Sequence, residues 1–403
     1  MYCRLSTNCW VDKGAARPAC SSNVKIAIIR ARYDAHGGAE RFVSRAVDAL
    51  RAQGTQATII ARQWTGESGT GNWLRCDPFY VGRIWRDRSF ARAACKAVAT
   101  GHFDLVQSHE RIPCCDIYRA GDGVHAQWLE NRASSLGALR RLALRLSPFH
   151  RHLINAERRL FASPGLRAII CNSRMVRDEL ARWFPAVSDR LHVIHNGVDL
   201  ERFDPARALA HRDAMRLRMG IPPDARTLLF VGSGFERKGV RVLIDAFARI
   251  RSKTDFLVVV GRDRHASRYR AHAESLGLSG RIHWAGAQED VLPWYGLADA
   301  FALPTLYDPF PNAALEALAC GLPVITTRQC GAAEIIREGW NGYVCQDSLD
   351  PVELADKVTM VLDNSPSMRI NARSSVKALG LQDMTRALLD LYASLGARAS
   401  SPR

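Results

Sequence analysis

The sequence contains no long hydrophobic run. A membrane-spanning helix needs roughly 18 consecutive apolar residues, whereas the longest apolar runs here stop after five or six. This absence argues against an integral membrane protein. Residues 1–22 also have no apolar stretch typical of a signal peptide, so we expect a loose N-terminal extension on a protein that stays in the cytoplasm.

The chain also has no cysteine framework. None of its eleven cysteines forms a Cys-x-x-Cys pair, and Cys171 and Cys320 stand inside apolar segments. This arrangement is typical of reduced thiols in a protein core, and it argues against a disulfide scaffold or a zinc site. We therefore expect free cysteines throughout.

Acidic residues are scarce in the first half of the chain. Overall, 56 Lys and Arg residues face 40 Asp and Glu residues, which gives a net charge of +16, and residues 1–200 contain 30 basic but only 17 acidic residues. A positive excess of this size indicates an anionic partner such as a phosphorylated ligand, an acidic bilayer or nucleic acid. The excess predicts that this partner meets the first half of the protein.

The length and the hydrophobic pattern predict two domains. At 403 residues the chain is two to three times the commonest domain size, and short apolar runs alternate with helical segments, as in the βαβ units of a parallel sheet. We predict an α/β fold of two doubly wound Rossmann-like domains at 23–205 and 227–380. A linker at 206–226 would join them, and residues 381–403 would form a closing helix or tail. Ligands would bind in a central cleft at the carboxyl ends of the strands.

Two strand-to-helix turns have compositions suited to phosphate. Gly37 and Gly38 follow the first strand, where bare backbone amides could approach a phosphate at a helix start, although an ordinary tight turn has the same sequence. In the second domain, Arg237 and Lys238 stand in the turn 232–239. Two adjacent cations could neutralise a diphosphate, or they could simply form a solvated basic turn.

The segment from Asp308 to Thr327 carries the strongest local signal. Asn312 is a good N-cap residue for a short helix that ends before Gly321. Asp308 and Glu316 are eight positions apart, so their carboxylates could bind hydroxyls at opposite ends of one ligand. Alternatively, Glu316 could merely complement the helix dipole while Asp308 opens a proline turn.

From about Val24 to Tyr343 the chain resembles the glycosyltransferase family 4 enzymes, which have the GT-B architecture. Within that family it resembles the lipopolysaccharide core glucosyltransferase I group. Four segments carry the resemblance: HGGAER at 36–41, RIPCCDIYRAGDGVHAQWLE at 111–130, VGSGFERKGV at 231–240, and DPFPNAALEALACGLPVITTRQCGAAEII at 308–336.

The resemblance implies a retaining transfer of a hexose, glucose by preference, from a UDP-sugar. In such enzymes the first carboxylate of a Glu-x7-Glu pair holds sugar hydroxyls and the second holds the ribose. Asp308 and Glu316 occupy these positions here, and Asp in place of Glu leaves the donor sugar open. Ser233 stands where many members have Arg, whereas Arg237 and Lys238 are kept.

Further donor contacts follow from the same resemblance. Gly37 and Gly38 would contact the donor diphosphate, and Asp122 matches an aspartate placed near the transferred sugar. The helix that starts at Asn312 and Ala313 would add backbone amides. His109 stands where relatives have a sugar-contacting His, although it could instead bond backbone, and Glu110 and His125 are weaker candidates. Backbone groups at 261–263 and 286–288 would frame the base.

The acceptor side carries the excess charge. The segment Arg132–Leu160 has seven Arg residues against one Glu, interleaved with leucines. Such a segment can lie on an anionic bilayer or can pack on its own domain. We expect a lipid-linked or lipopolysaccharide-core saccharide as the acceptor, with the enzyme peripheral on the inner face of the cytoplasmic membrane.

The sequence predicts no metal and no cofactor beyond the UDP-hexose, because it has no Asp-x-Asp pair and the cations can neutralise the leaving phosphate. Two alternatives to a transferase stay open. A nucleotide-sugar epimerase would need the same diphosphate cradle but no acceptor. A nucleic-acid-binding protein would suit the basic charge, but the sequence shows no aromatic stacking run or known binding motif, so we expect no nucleic-acid partner.

Overall fold

The computed structural model describes residues 25–33, 47–48, 50, 56–64 and 72–396. Within these residues the first domain contains nine strands: β1 (Lys25–Ile29), β2 (Arg32–Tyr33), β3 (Gln56–Ala61), β4 (Gln63–Trp64), β5 (Asn72–Arg75), β6 (Leu105–Ser108), β7 (Ile117–Arg119), β8 (Ala168–Cys171) and β9 (Leu191–Val193). Seven of them form a parallel sheet in the order β5-β3-β1-β6-β7-β8-β9, and β2 pairs with β4.

In the described part of the first domain, the helices described over their full length between these strands are α1 (Gly82–Thr100), α2 (His125–Ser134), α3 (Ala138–Leu146), α4 (Pro148–Phe161) and α5 (Arg174–Trp183). Helices α2 to α4 lie between β7 and β8, and the predicted basic amphipathic segment Arg132–Leu160 covers the end of α2, all of α3 and nearly all of α4. In the part of the chain that the structure describes, no helix combines the length and the apolar character needed to cross a membrane.

The second domain contains six strands: β10 (Thr227–Val231), β11 (Phe256–Val260), β12 (Ile282–Gly286), β13 (Ala300–Leu303), β14 (Val324–Thr327) and β15 (Gly342–Cys345). They form a parallel sheet in the order β12-β11-β10-β13-β14-β15. The later helices are α6 (Pro205–Leu209), α7 (Arg212–Met219), α8 (Val240–Arg249), α9 (Ala266–Ser275), α10 (Leu292–Leu297), α11 (Asn312–Ala319), α12 (Pro351–Ser375) and α13 (Leu381–Gly396).

Burial of both sheet faces explains the continuous apolar runs of the strands. Ile26, Ile28 and Ile29 of β1 are each at most 1% exposed, although they point to alternate faces. Ile28 is in register with Ile59 on one side and with Gln107 on the other. Because helices cover both faces of such a sheet, its strands do not need to alternate apolar and polar residues. The predicted α/β fold of two doubly wound Rossmann-like domains is confirmed.

The segment 206–226 contributes to the second domain. It contains most of α6 and all of α7, and Ala208 and Met215 are buried in the second domain's core. Arg216 is 2% exposed and pairs with Asp299 at 2.9 Å. The residues predicted as a linker therefore pack onto the second domain and do not merely connect the two.

Helix α13 crosses back to the first domain. Its buried side chains Leu388 and Tyr392 join the cluster that includes Ile26 and Ile28 of β1. The Tyr392 hydroxyl donates a hydrogen bond to Oε1 of Gln107 at 2.7 Å. The predicted closing helix thus covers one face of the first sheet.

The expectation that every cysteine is a free thiol is wrong at one pair. Cys95 of α1 and Cys114, in the loop after β6, form a disulfide, with their Cα atoms 5.7 Å apart. Packing of α1 beside that loop brings the two residues within the range that a disulfide requires, and their spacing in sequence gives no sign of it. Six other cysteines in the described residues are free and buried.

Replacing Leu388 with Ala tests the contribution of α13. Leu388 is 1% exposed, so the cavity left by Leu388→Ala should lower the free energy of unfolding by about 2–5 kcal/mol. Urea denaturation followed by circular dichroism measures the change. The control is Leu217→Ala on α7, where the side chain is 84% exposed and the expected effect is within about 0.5 kcal/mol. Equal effects of the two substitutions would contradict the packing of α13.

Candidate functional site

The turn after β10 places two cations beside the loop that follows β13. Gly239 precedes α8 with φ at 75°, and a Cβ at this position would lie 1.8 Å from the carbonyl oxygen of Pro304. A residue with a side chain cannot fit there. The backbone carbonyl of Arg237 accepts hydrogen bonds from the Thr305 hydroxyl at 2.9 Å and the Leu306 amide at 2.9 Å. These contacts hold Arg237 and Lys238 at the mouth of the second sheet.

Lys238 and Asp308 form a buried ion pair. Their exposed fractions are 9% and 6%, and Nζ of Lys238 contacts Oδ2 of Asp308 directly. Arg237 lies 3.7 Å from the same carboxylate oxygen and donates to the Tyr307 carbonyl at 3.1 Å. Burial alone would raise the pKa of Asp308, but the charges of Lys238 and Arg237 outweigh it and the pKa is lowered. The structure thus brings together three of the predicted site residues.

Helix α11 holds the other donor-binding candidates. Glu316 is 4% exposed, and its Oε2 accepts a hydrogen bond from the Tyr295 hydroxyl at 2.9 Å. The same hydroxyl lies 3.2 Å from the Ala313 carbonyl. Tyr295 therefore fixes the orientation of the Glu316 carboxylate relative to the start of α11.

The prediction that Asn312 caps α11 is wrong. Pro311 is the N-cap residue and Asn312 is the first residue of the helix. The Asn312 side chain instead accepts a hydrogen bond from Nδ2 of Asn196 at 2.9 Å, and Nδ2 also donates to the Phe310 carbonyl at 2.9 Å. The Asn312 side chain therefore contacts the first domain and does not cap its own helix.

Asp122 and the cation turn share one cavity of about 560 Å³. Asp122 stands after β7 in the first domain, whereas Arg237, Tyr307 and Asp308 belong to the second. The cavity therefore lies between the two domains, at the carboxyl ends of both sheets. Asp122 therefore lines the same space as Arg237, and its contact with the transferred sugar, which the family resemblance implies, stays a prediction.

His109 occupies a different setting. It follows β6, is 6% exposed, and its Nε2 lies 2.9 Å from Nε2 of Gln107. Burial, followed by the charges of Arg119 and Arg30, holds its pKa well below the usual value, so the imidazole is neutral. His109 is not among the described residues that line the cavity, and its contact with a sugar stays a prediction.

The remaining candidates divide into two groups. Gly37 and Gly38 lie outside the described residues. The predicted base-binding loops do lie side by side, because the Gly261 amide donates to the Gly286 carbonyl at 2.7 Å.

Among the described residues, no group of three or more His, Cys, Asp or Glu side chains is arranged to hold a metal ion.

Sequence reasoning missed the residue that joins the two domains at this site. The Tyr307 hydroxyl donates to Oε2 of Glu179 on α5 at 2.6 Å and accepts from the Val124 amide at 3.0 Å. A Cβ at Gly123, where φ is 71°, would lie 2.0 Å from that hydroxyl. No local signal reveals this contact, because the partners are more than 100 residues apart in the sequence.

The first-domain wall of the cavity contains His125, a weaker candidate from the sequence, together with residues that sequence reasoning missed. His125 and His150 approach to 3.1 Å, and the His125 ring stacks on Trp128. Burial, with the charges of Arg111 and His150, lowers the pKa of His125 to about 3. The wall therefore presents neutral imidazoles beside the Arg111 guanidinium, which pairs with Glu157 at 2.9 Å.

Two family models match the chain. Residues 36–202 match the model described as Glycosyltransferase Family 4, and residues 211–377 match the model described as Glycosyl transferases group 1. The chain belongs to glycosyltransferase family 4. The resemblance found in the sequence is confirmed, and the cavity between the two matched regions is the candidate active site of this glycosyltransferase.

Three curated relatives differ in how much of their length the glycosyltransferase matches. The D-inositol 3-phosphate glycosyltransferase of Xylanimonas cellulosilytica is 32% identical, over 56% of each chain. The lipopolysaccharide glucosyltransferase WaaG of Escherichia coli K12 is 25% identical, over 88% of this chain and 93% of WaaG. The lipopolysaccharide core biosynthesis glycosyltransferase LpsE of Rhizobium meliloti is 28% identical, over 89% and 95%.

Solved structures of similar proteins show the GT-B fold. The crystal structure of WaaG superposes with a TM-score of 0.79 at 24% identity and covers 91% of this chain and 99% of WaaG. The structure of Anabaena HepE in complex with UDP-glucose gives 0.70 at 17% identity and covers 92% and 99%. At these identities the similarity shows the fold alone.

Glu179 predicts how stability depends on pH. Burial, opposed by the hydrogen bond from Tyr307, raises the pKa of Glu179 from 4.5 to about 7. The folded chain therefore binds this proton more tightly than the unfolded chain, and stability should fall by up to about 3 kcal/mol as pH rises from 4.5 to 7. Glu179→Gln keeps an acceptor for Tyr307 but has no proton to lose, so that part of the decline should disappear.

Urea denaturation between pH 5 and pH 8 measures this effect as the difference between native and variant protein. Asp178→Asn is the control, because the Asp178 side chain is 65% exposed. A Glu179→Gln protein that keeps the full pH slope of the native protein would contradict the assignment.

Proposed function

We propose that this glycosyltransferase moves a hexose, glucose in our assignment, from a UDP-sugar to a lipid-linked or lipopolysaccharide-core saccharide, with retention of anomeric configuration. The observation that carries the proposal is the Arg237-Lys238 turn, which faces Asp308 and shares a cavity with Asp122. Full-length similarity to WaaG and LpsE supports the acceptor class. The HepE complex with UDP-glucose is consistent with a UDP-sugar donor.

The cation turn would stabilise the leaving diphosphate. Arg237 offers a planar set of donors and Lys238 a compact charge, and both already contact a carboxylate, which is the simplest stand-in for an anionic ligand. The first backbone amides of α11, at Asn312 and Ala313, would add donors at a positive helix end. Aimed donors of this kind stabilise charge that develops as the sugar–phosphate bond breaks.

The two carboxylates would hold the donor at either end. Asp308 would bind hydroxyls of the hexose while it shares the Lys238 charge with the diphosphate. Glu316, held by Tyr295, would bind the ribose. Their burial supports these roles, because a buried carboxylate needs hydrogen-bond donors and sugar hydroxyls can supply them.

Retention would require the acceptor hydroxyl to approach the anomeric carbon on the face that the diphosphate leaves. Asp122 of the first domain and Arg237 of the second line the same cavity, so acceptor and leaving group would share this space. The proton of the acceptor hydroxyl would pass to the departing phosphate oxygen, and no dedicated base is then needed. The two cations would supply the charge that a divalent metal supplies elsewhere, which supports a metal-free reaction.

The helix α3 supports a peripheral membrane location. Leu139, Leu142 and Leu146 are 85%, 54% and 54% exposed, and the arginines of α3 alternate with them in the sequence ALRRLALRL. An apolar side flanked by arginines is the arrangement by which a helix lies in the interface of an anionic bilayer. This site would place the enzyme where a lipid-linked acceptor is anchored.

Lys238→Ala tests the donor assignment. Loss of one aimed donor to the leaving group should lower kcat by about 10²- to 10³-fold with UDP-glucose and a core oligosaccharide acceptor. The control is Arg241→Ala, because the Arg241 side chain is 68% exposed and one turn beyond the site. A thermal melt checks that each variant folds.

The same assay separates a transferase from an epimerase. UDP-glucose incubated without acceptor should undergo only slow hydrolysis, whereas conversion to another UDP-hexose would favour the epimerase. Near-normal turnover by folded Lys238→Ala protein would contradict the proposed role of the cation turn.

Replacing the exposed leucines tests the membrane assignment. The triple substitution Leu139→Ser, Leu142→Ser and Leu146→Ser removes the apolar side of α3, so sedimentation with phosphatidylglycerol vesicles should fall at least about tenfold. Transfer to a water-soluble acceptor should not change. Leu217→Ser, at an equally exposed leucine of the second domain, is the control, and vesicle binding that survives the triple substitution would contradict the assignment.

A further inference from the structure

The first domain contains a second, larger cavity of about 850 Å³ between α1, α4 and the segments that follow β1 and β3. This volume is within the range of small-molecule sites, roughly 300–1,000 Å³. Phe90 and Phe149 give the cavity aromatic surface, and Arg111 and Phe149 also line the cavity that contains Asp122. A molecule bound in the larger cavity can therefore reach the site of transfer.

The wall of this arginine cavity, as we call it, is strongly positive. Eight arginines line it, but Asp87 and Glu110 are its only acidic lining residues among those the structure describes. Four of the arginines have a carboxylate within 3.5 Å. The pairs are Arg30 with Glu110, Arg62 with Asp77, Arg86 with Asp87, and Arg111 with Glu157. These four arginines are therefore neutralised by their partners and contribute little to the positive charge of the wall.

The excess charge comes from the other four arginines. Arg32, Arg88, Arg92 and Arg159 are exposed and make no ion pair with any part of the chain that the structure describes. Arg88 and Arg92 are one turn apart on α1, where like charges repel. Burial is the main cause that lowers the pKa of His152, and the charges of Arg88 and Arg159 lower this pKa further. Arg88 on α1 and Arg159 on α4 therefore flank a single neutral imidazole.

We propose that the arginine cavity binds an acidic part of the acceptor, a saccharide whose phosphate or carboxylate groups contact Arg88, Arg92 and Arg159. The proposal rests on the proposed function for the identity of the reaction. Cations without ion-pair partners on one cavity wall attract an anion, and the guanidinium fork matches phosphate and carboxylate geometry. The aromatic wall suits the apolar face of a sugar ring, so the cavity fits an acidic sugar better than free phosphate.

The position of the cavity also suits a membrane-anchored acceptor. Helix α4 begins two residues after α3 ends, so the exposed leucines lie next to the helix that lines the cavity. The leucines themselves are not among the described lining residues. The lipid would thus remain at α3, the acidic sugar would occupy the arginine cavity, and the hydroxyl that accepts the hexose would extend past Arg111 and Phe149.

The test compares two double variants by direct binding. Arg88→Ala/Arg159→Ala removes one cavity cation from each helix, and Lys96→Ala/Arg158→Ala removes one exposed cation from each of the same helices outside the cavity. Calorimetric titration uses core oligosaccharide released from its lipid, either intact or with its phosphates removed and its carboxylates reduced. The cavity variant should bind the intact oligosaccharide roughly ten- to a hundredfold more weakly, because charge-assisted hydrogen bonds are lost. The control should bind like the native protein, and the treated oligosaccharide should bind all proteins weakly.

Each contrary result overturns the proposal. Native-like binding by the cavity variant, or equal loss in the control, would remove the arginines' role, and tight binding of the treated oligosaccharide would remove the need for acidic groups. Loss of phosphatidylglycerol vesicle binding, with normal oligosaccharide binding, would assign the arginines to a lipid headgroup. Titration with UDP-glucose keeps the two proposals apart: a protein that binds the oligosaccharide but neither binds UDP-glucose nor transfers from it would disprove the function, not the cavity.

Discussion

The buried pair of Lys238 and Asp308 is the constraint on which the donor site depends. Each charge would be costly to bury alone, and loss of one partner of such a pair costs about 3–5 kcal/mol because the other is left uncompensated. The pair joins the turn after β10 to the loop before α11, and Arg237 reinforces it from the same turn. In the proposed reaction, the donor diphosphate would take over part of the contact that Lys238 now makes with the Asp308 carboxylate.

The same loop connects the site to the other domain. Tyr307 directly precedes Asp308, and its hydroxyl contacts Glu179 and Val124 of the first domain. Asn196 of the first domain also contacts Asn312 at the start of α11. Glu334 of the second domain accepts a hydrogen bond from the Arg174 amide and pairs with His195, both in the first domain. The contacts of Tyr307 and Asn196 involve Asp308's neighbour and Asn312, so the relative position of the domains and the geometry of the candidate site are set together.

The arginines in the first half of the chain would serve two separate roles. One set of arginines lies with exposed leucines on α3, and another lines a cavity beside the transfer site. A lipid-linked acidic saccharide presents both an anionic surface and anionic sugar groups, and the two sets match these two features. In the second domain, the proposed donor would meet the two cations of the first turn.

The doubly wound sheets and the adjacent cations of the turn after β10 follow directly from the amino-acid sequence. Parallel strands buried on both faces must be apolar without interruption, and adjacent residues such as Arg237 and Lys238 stay adjacent in any fold. Three contacts depend instead on the packing of distant segments: Cys95 bonds to Cys114, Asn312 binds Asn196 and does not cap its own helix, and Tyr307 donates to Glu179. The same packing decides that arginines between positions 30 and 159 line one cavity. Local periodicity and spacing reveal what a residue does within its own element, whereas contacts between distant segments depend on how whole helices and sheets pack.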